Sequence, residues 1–195
     1  MEHYYSERQK SKLHAKKIFQ KIRNANFELC TSSGVFSKEK IDKGTLILAE
    51  NMIIDKNEKV LDIGCGIGIL GIAAAKLFDA DVVMSDINKR AVMLAKKNIV
   101  LNKVKAEIFH GNLYEKIKDN DFNVILSNPP QTAGKEICFK LIEESKIHLK
   151  NGGSLQLVAR HNKGGKTLSK KMEEVFGNIK VIAKKSGYWV YLSEK

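Results

Sequence analysis

The feature that most constrains this sequence is a glycine-rich stretch directly after a predicted buried strand. Glycines occupy positions 64, 66, 68 and 71, after the mainly hydrophobic segment 60–63. Glycine adopts left-handed backbone conformations and leaves space for a ligand beside the main chain. Residues 69–78 have the apolar composition and length of a helix, so the glycines predict a loop between a strand and a helix N-terminus. Such loops bind cofactors in α/β proteins.

Predicted strands and helices alternate along most of the chain. This alternation predicts an α/β, Rossmann-like fold: a seven-stranded, mostly parallel sheet with helices on both faces. The last two strands follow each other closely and predict a C-terminal antiparallel hairpin. The predicted strands are 60–63, 81–85, 106–110, 122–127, 154–159, 179–183 and 188–192, and the predicted helices are 69–78, 88–101, 135–149 and 166–176.

The N-terminal region differs from this pattern. Residues 6–24 place apolar side chains at helical spacing between lysines, which predicts a basic amphipathic helix. We therefore divide the chain into a basic N-terminal helical extension, residues 1–26, and one main domain, residues 27–195, a size typical of a single domain. A short strand over 27–31, a helix from position 45 to about 52 and a turn at 151–153 complete the prediction.

The positive charge is concentrated at the two ends of the chain. The formal net charge is +12, of which residues 1–25 contribute +5 and residues 160–195 contribute +6. Basic ends around a nearly neutral middle favour a polyanionic partner, with nucleic acid as the first candidate. The alternative is a lysine-rich composition that serves only solubility.

Cysteine usage and hydrophobicity indicate the compartment. The three cysteines lie far apart in the sequence, so they predict neither a disulfide framework nor a metal site. The polar, lysine-rich start has no signal-peptide pattern, and the apolar runs are too short to span a bilayer. We therefore expect a cytoplasmic protein.

An acidic residue follows the glycines at the spacing of a ribose-binding carboxylate. Asp86 ends the second predicted strand, 22 residues after Gly64. The glycine pattern formally matches a dinucleotide fingerprint, and it could also be a set of turn glycines without a ligand. S-adenosylmethionine (SAM) is favoured, because Asp62 precedes the glycines, where it would repel a pyrophosphate but attract the ammonium of a methionine moiety.

The fourth strand of this series leads into Asn128, Pro129 and Pro130. Two successive prolines fix the backbone and remove two N–H donors, so carbonyl groups face the carboxyl edge of the sheet. The Asn128 side-chain oxygen and the Pro129 carbonyl could accept the two N–H groups of a planar amine and direct its lone pair toward a sulfonium. The alternative is a proline pair that only ends the strand.

Asp62-x-Gly-x-Gly-x-Gly68, Asp86 and Asn128-Pro-Pro130, in this order, resemble a class I SAM-dependent methyltransferase. The segments 34–37 and 42–45 resemble the methyltransferase small domain, found in enzymes that methylate guanine N2 of small-subunit ribosomal RNA. The similarity covers residues 4–192 and is greatest to the compact archaeal type, on the start Tyr4-Tyr5-Ser6-Glu7 and on Gly134-Lys135-Glu136.

The resemblance implies roles for individual residues. Asp62 and the glycines at 64, 66 and 68 would hold the methionine part of SAM, and Asp86 its ribose. Ile87 would pack on the adenine, with Asn112 and Leu113 beside the adenine amino group. Asn128, Pro129 and Pro130 would hold the target amine, and Phe36 and Thr45 would lie near cofactor or substrate.

Two positions depart from the family pattern. Many relatives carry Asp where this chain has Asn112, which can still accept a hydrogen bond. Many place an aromatic side chain after the two prolines, to stack on the target base, where this chain has Gln131. Stacking would then come from Phe36, Tyr188 or Trp189.

The favoured function is methyl transfer to an exocyclic amine of RNA, with guanine N2 of ribosomal RNA as first choice. The alternatives are a protein glutamine amide, adenine N6 of DNA, and a basic RNA-binding module whose methyl transfer is vestigial.

Overall fold

A computed structural model describes residues 15–32, 41–129 and 134–195. Strands and helices alternate from residue 59 onward. The strands are β1 Ala15–Ile22, β2 Ala25–Ser32, β3 Lys59–Ile63, β4 Asp81–Asp86, β5 Glu107–His110, β6 Phe122–Ser127, β7 Leu149–Arg160, β8 Lys180–Lys185 and β9 Tyr188–Glu194. The helices are α1 Lys43–Asn51, α2 Ile69–Phe78, α3 Lys89–Leu101, α4 Lys135–His148 and α5 Lys166–Phe176.

Seven of these strands form one sheet in the order β5-β4-β3-β6-β7-β9-β8. The first five are parallel, and β9 runs antiparallel between β7 and β8. The sheet confirms the predicted Rossmann-like α/β fold with its C-terminal hairpin. The predicted turn at 151–153 is wrong, because these residues lie within β7, where the pairing with β6 shifts register.

Helices cover both faces of the sheet. Ile47 of α1, Ala73 of α2 and Leu94 of α3 belong to the apolar core on one face. Leu141 of α4 and Met172 of α5 belong to the core on the other face. The central strands are buried on both sides, so their residues are hydrophobic without alternation. None of the helices in the described ranges is long and apolar enough to cross a membrane.

The region predicted as an N-terminal helix forms a strand where it is described. β1 pairs antiparallel with β2 from Ala15↔Ser32 to Ile22↔Ala25, so the helix prediction is wrong over residues 15–22. Ile18 and Ile22 lie four positions apart, a spacing that places two side chains on one face of a helix and equally on one face of a strand. Positions 6–14 lie outside the described residues, and the division of the chain at residue 26 stays a prediction.

Asn98 of α3 and Asn102, which follows the last residue of that helix, pair with the backbone of β2. The Asn98 amide accepts from Cys30 N at 2.6 Å and donates to Cys30 O at 3.1 Å, and Asn102 bonds both backbone groups of Glu28. The Asn98 amide also donates to Ile67 O, at 2.9 Å. One buried side chain therefore connects the N-terminal hairpin to the glycine loop.

Candidate active site

The glycine loop leaves the carboxyl end of β3 with three left-handed residues. Gly64, Gly66 and Gly68 have φ values of 68°, 58° and 87°, which disfavour any residue with a Cβ atom. A Cβ at Gly64 would meet no atom within 4 Å, so the loop is open on that side. At Gly71, by contrast, a Cβ would lie 2.5 Å from Met84 Sδ, because α2 packs closely against β4.

The Asp62 carboxylate is buried beneath this loop, with 1% of its surface exposed. Its Oδ2 accepts from Gly71 N at 2.9 Å, whereas its Oδ1 has no hydrogen-bond partner within the described part of the chain. Burial raises the pKa of Asp62 to about 7, against the Gly71 hydrogen bond and with a contribution from the charge of Asp86. An unpaired buried carboxylate oxygen is costly, and a cation or N–H donor placed there would be stabilised.

Asp86, the last residue of the neighbouring strand β4, is hydrogen-bonded to the glycine loop. Its Oδ2 accepts from Gly66 N and its Oδ1 from Asn88 N, both at 2.8 Å. The carboxylate is 3% exposed and lies near enough to Asp62 to raise its pKa. The predicted pair of acids therefore meets at one place, at the carboxyl ends of two adjacent strands.

The residues after β4 and β5 lie along the same sheet edge. Ile87 is half-buried, and its carbonyl lies 2.9 Å from His110 Nε2. Leu113 is half-buried with φ 48°, and its carbonyl accepts from the Ser85 hydroxyl at 3.0 Å. Asn112 is exposed. The three residues therefore lie beyond the carboxyl ends of the paired strands β4 and β5.

Asn128 follows β6, next to the start of the glycine loop. β6 pairs with β3, and the Ser127 hydroxyl donates to Ile63 O at 2.9 Å. The Asn128 Nδ2 group donates to Asp42 Oδ2 and to Thr45 Oγ1, each at 2.8 Å. A carboxylate can only accept, so this contact fixes the amide with its nitrogen toward Asp42. The Asn128 Oδ1 atom makes no hydrogen bond to a described residue and is left as an acceptor.

Sequence reasoning missed Asp42 as a site residue. Its Oδ2 accepts from Thr45 N at 3.0 Å and so caps the N-terminus of α1. The same atom receives the Asn128 amide, although the two residues are 86 positions apart. Thr45, predicted near the substrate, lies beside Asn128. Two sequence signals could have found Asp42: its position three residues before Thr45, which is an N-cap spacing, and its place in the family segment 42–45.

Some predicted residues cannot be placed. Phe36, Pro130 and Gln131 lie outside the described residues, whereas Pro129 is described and buried. No group of three or more His, Cys, Asp or Glu side chains in the described ranges is arranged to hold a metal ion.

Comparisons with known proteins define the family. The model of the methyltransferase small domain matches residues 26–192. A Bacillus subtilis protein, the uncharacterized YbxB, is 35% identical over 100% of this chain and 98% of its own length. Ribosomal RNA small subunit methyltransferase C of Hamiltonella defensa is 34% identical over 84% of this chain, which spans only 49% of that relative.

A solved structure agrees with these relatives. It is a 16S rRNA guanine-N2 methyltransferase from Thermus thermophilus in complex with AdoMet and guanosine, with a TM-score of 0.83 and 25% identity. The match covers 95% of this chain and 51% of that one. A Pyrococcus furiosus methyltransferase, with a TM-score of 0.70 at 23% identity, shares the fold.

Fold and site together define a SAM-dependent methyltransferase of class I. The chain belongs to the methyltransferase small domain family, as its sequence resemblance predicted. S-adenosylmethionine is the cofactor, and the residues present fit it. The open side of Gly64 leaves room for a ligand, and the unpaired Asp62 Oδ1 is an acceptor that a bound ammonium would satisfy.

Proposed function

We propose that this protein methylates the exocyclic N2 amine of guanine in small-subunit ribosomal RNA, in the cytoplasm. The observation that carries the proposal is the orientation of the Asn128 amide. The Asn128 nitrogen donates hydrogen bonds to Asp42 and Thr45, so the amide oxygen is the acceptor available at the sheet edge. An acceptor of this kind suits an amine that must be held by its own N–H groups.

The cofactor would be held by the residues around the glycine loop. Asp62 and the glycines at 64, 66 and 68 would bind the methionine part, and Asp86 the ribose hydroxyls. Ile87, Asn112 and Leu113 would surround the adenine. When bound, SAM supplies a methyl group on a positively charged sulfur. The burial of Asp62 supports its part, because an unpaired carboxylate oxygen favours a bound ammonium.

The target amine would be held by Asn128 and Pro129. A guanine N2 amine is a weak nucleophile, because its lone pair is delocalised into the ring. Hydrogen bonds from its two N–H groups to Asn128 Oδ1 and the Pro129 carbonyl would orient the lone pair toward the methyl carbon. Transfer would form the new N–C bond as the S–C bond breaks and would leave the bonding electrons on sulfur, and the nitrogen would then lose one proton to water.

Ribosomal RNA as the substrate is supported by the relatives and by charge. The relatives at 30–35% identity include several ribosomal RNA small subunit methyltransferases C. The net charge of +12 favours a polyanion. This chain spans about half the length of those enzymes, so the substrate is part of the proposal.

The test uses methyl-labelled SAM and four acceptors: unmodified small-subunit ribosomal RNA, the assembled small subunit, naked DNA and ribosomal protein. We expect label in RNA, with N2-methylguanosine after digestion to nucleosides. Asn128→Ala should abolish transfer and keep SAM binding. The matched control is Asn120→Ala, an exposed asparagine just before β6, at the opposite edge of the sheet, which should retain full activity.

Other outcomes would decide for the alternatives. Label in protein or DNA would support a glutamine amide or adenine N6 as target. SAM binding without transfer to any acceptor would support an RNA-binding module with vestigial chemistry. Full activity of Asn128→Ala would refute the proposed role of its amide.

A further inference from the structure

Two basic segments meet at the sheet edge beside the proposed reaction site. Residues 160–166 begin at the last residue of β7, and residues 184–187 comprise the end of β8 and the turn to β9. The backbone N–H of His161 donates to Gly187 O at 2.9 Å, and Arg160 pairs in register with Tyr188. β7 is the neighbour of β6, whose end carries Asn128. The two segments therefore form one surface next to that residue.

This surface is strongly and uniformly positive. The two segments contain Arg160, Lys163, Lys166, Lys184 and Lys185, and neither contains Asp or Glu. All five basic side chains are exposed. A cluster of one sign is typical of a surface that binds phosphates.

A stack of side chains lies within the surface. The rings of His161 and Trp189 are stacked, with centroids 3.4 Å apart and planes at 14°. Lys184 Nζ lies 4.1 Å from the centroid of Trp189. The imidazole already occupies one face of the indole, so the ammonium must lie on the other. With both faces covered, Trp189 itself cannot stack on a base.

His161 is the member of the stack that can receive a base. Only one of its faces is covered by Trp189, and no other described ring or cation stacks on the second. Its Nδ1 is hydrogen-bonded to the Tyr191 hydroxyl at 2.7 Å, which fixes the ring. Burial, together with Lys166 and Lys184, lowers the pKa of His161, which favours the uncharged form of the ring.

We propose that this surface binds a single-stranded RNA segment flanking the target nucleotide, with a base on His161 and phosphates on Lys166 and Lys184. The inference rests on the proposed function for its substrate class. An aromatic ring held in place between lysines combines the two contacts by which proteins hold single strands, base stacking and phosphate neutralisation. The surface would position the strand while Asn128 holds the amine.

The test measures binding of a short fluorescein-labelled single-stranded RNA of mixed sequence by anisotropy, over a range of salt concentrations. The double variant Lys166→Gln/Lys184→Gln should weaken binding. It should also reduce the magnitude of the slope of log K against log salt concentration by about 1.4, because each lost phosphate contact contributes roughly 0.7. The charge-matched control is Lys105→Gln with Lys118→Gln, exposed lysines at the opposite sheet edge, which should leave the slope unchanged.

The stacking contact is tested separately. His161→Ala should weaken RNA binding by roughly fivefold or more, whereas His161→Phe should retain it, because phenylalanine keeps the ring but loses the hydrogen bond to Tyr191. Equal losses in both variants would assign the effect to that hydrogen bond and overturn the stacking.

Three results would overturn the surface as an RNA site: an unchanged slope in Lys166→Gln/Lys184→Gln, an equal change in the control pair, or tighter binding of an acidic peptide than of RNA. If the wild-type protein transfers methyl groups to RNA in these cases, the proposed function stands and only the surface is wrong. Failure of the wild type to bind or methylate RNA would refute both.

Discussion

Replacement of Asp62 by Asn should stabilise the cofactor-free protein at alkaline pH while abolishing SAM binding. In the folded protein the Asp62 carboxyl has a pKa of about 7, mainly because it is buried, against 3.8 for a solvated carboxyl. The unfolded chain therefore holds the charge at a lower free energy than the folded one. A raised pKa contributes stability at low pH that is lost as the pH rises toward the folded value.

The magnitude follows from the two pKa values. Between pH 5 and pH 8 the wild type loses about 2.5 kcal/mol of unfolding free energy through this group, taking about 1.36 kcal/mol per pH unit and pKa values of 3.8 and about 7. Asn carries no charge at either pH, so in the variant position 62 contributes no pH-dependent change to the unfolding free energy. The Asn amide leaves one polar group without a partner, at a cost of roughly 1–3 kcal/mol that does not depend on pH.

The assay is urea unfolding of the wild type and Asp62→Asn at pH 5 and pH 8, without cofactor. The variant should gain about 2–3 kcal/mol relative to the wild type on going from pH 5 to pH 8. Asp81→Asn, at the exposed start of β4, is the matched control and should show no such change. A relative gain below about 0.5 kcal/mol would refute the reasoning, because Asp62 would then titrate like a solvated carboxyl.

Three further predictions concern the same edge of the sheet. SAM affinity, measured by calorimetry, should fall about tenfold per pH unit below about 7, because a cation binds ionised Asp62 and the protonated carboxyl must first lose its proton. Asp42→Ala should lower kcat for methyl transfer by roughly 10- to 100-fold, because the Asn128 amide can then rotate, with the Kd for SAM unchanged. Gly71→Ala should destabilise the protein by about 1–3 kcal/mol in thermal unfolding, because its Cβ would collide with Met84.

Most of the α/β part of the chain, from residue 59 onward, was predictable from the sequence because its elements depend on local patterns. The predicted bounds of α2, α5 and β6 agree with the structure. These elements have an uninterrupted apolar segment or an amphipathic period, and glycine or charged residues at their ends. The carboxyl edge of a parallel sheet then brings the loop glycines, Asp62 and Asp86 together without further information.

The N-terminal hairpin was not predictable in the same way. Its stability depends on partners that are distant in sequence, since the backbone of β2 is bonded by Asn98 and Asn102 about 70 positions later. Apolar residues four apart are compatible with both a helix and a strand. Only the presence of α3 and its amides distinguishes the two, and a single sequence does not reveal that contact.

The contact between Asp42 and Asn128 explains why an amide, rather than a carboxylate, directly follows β6 in this chain. Asp42 Oδ2 lies 2.8 Å from the Asn128 nitrogen and already accepts from the backbone N–H of Thr45. A carboxylate at position 128 would face another carboxylate at that distance, and one of them would have to be protonated. An amide donates to Asp42 without a proton exchange and presents its oxygen on the other side. The orientation of the acceptor is therefore fixed by a residue of the N-terminal part of the family domain, and the two segments must be retained together for the site to keep its geometry.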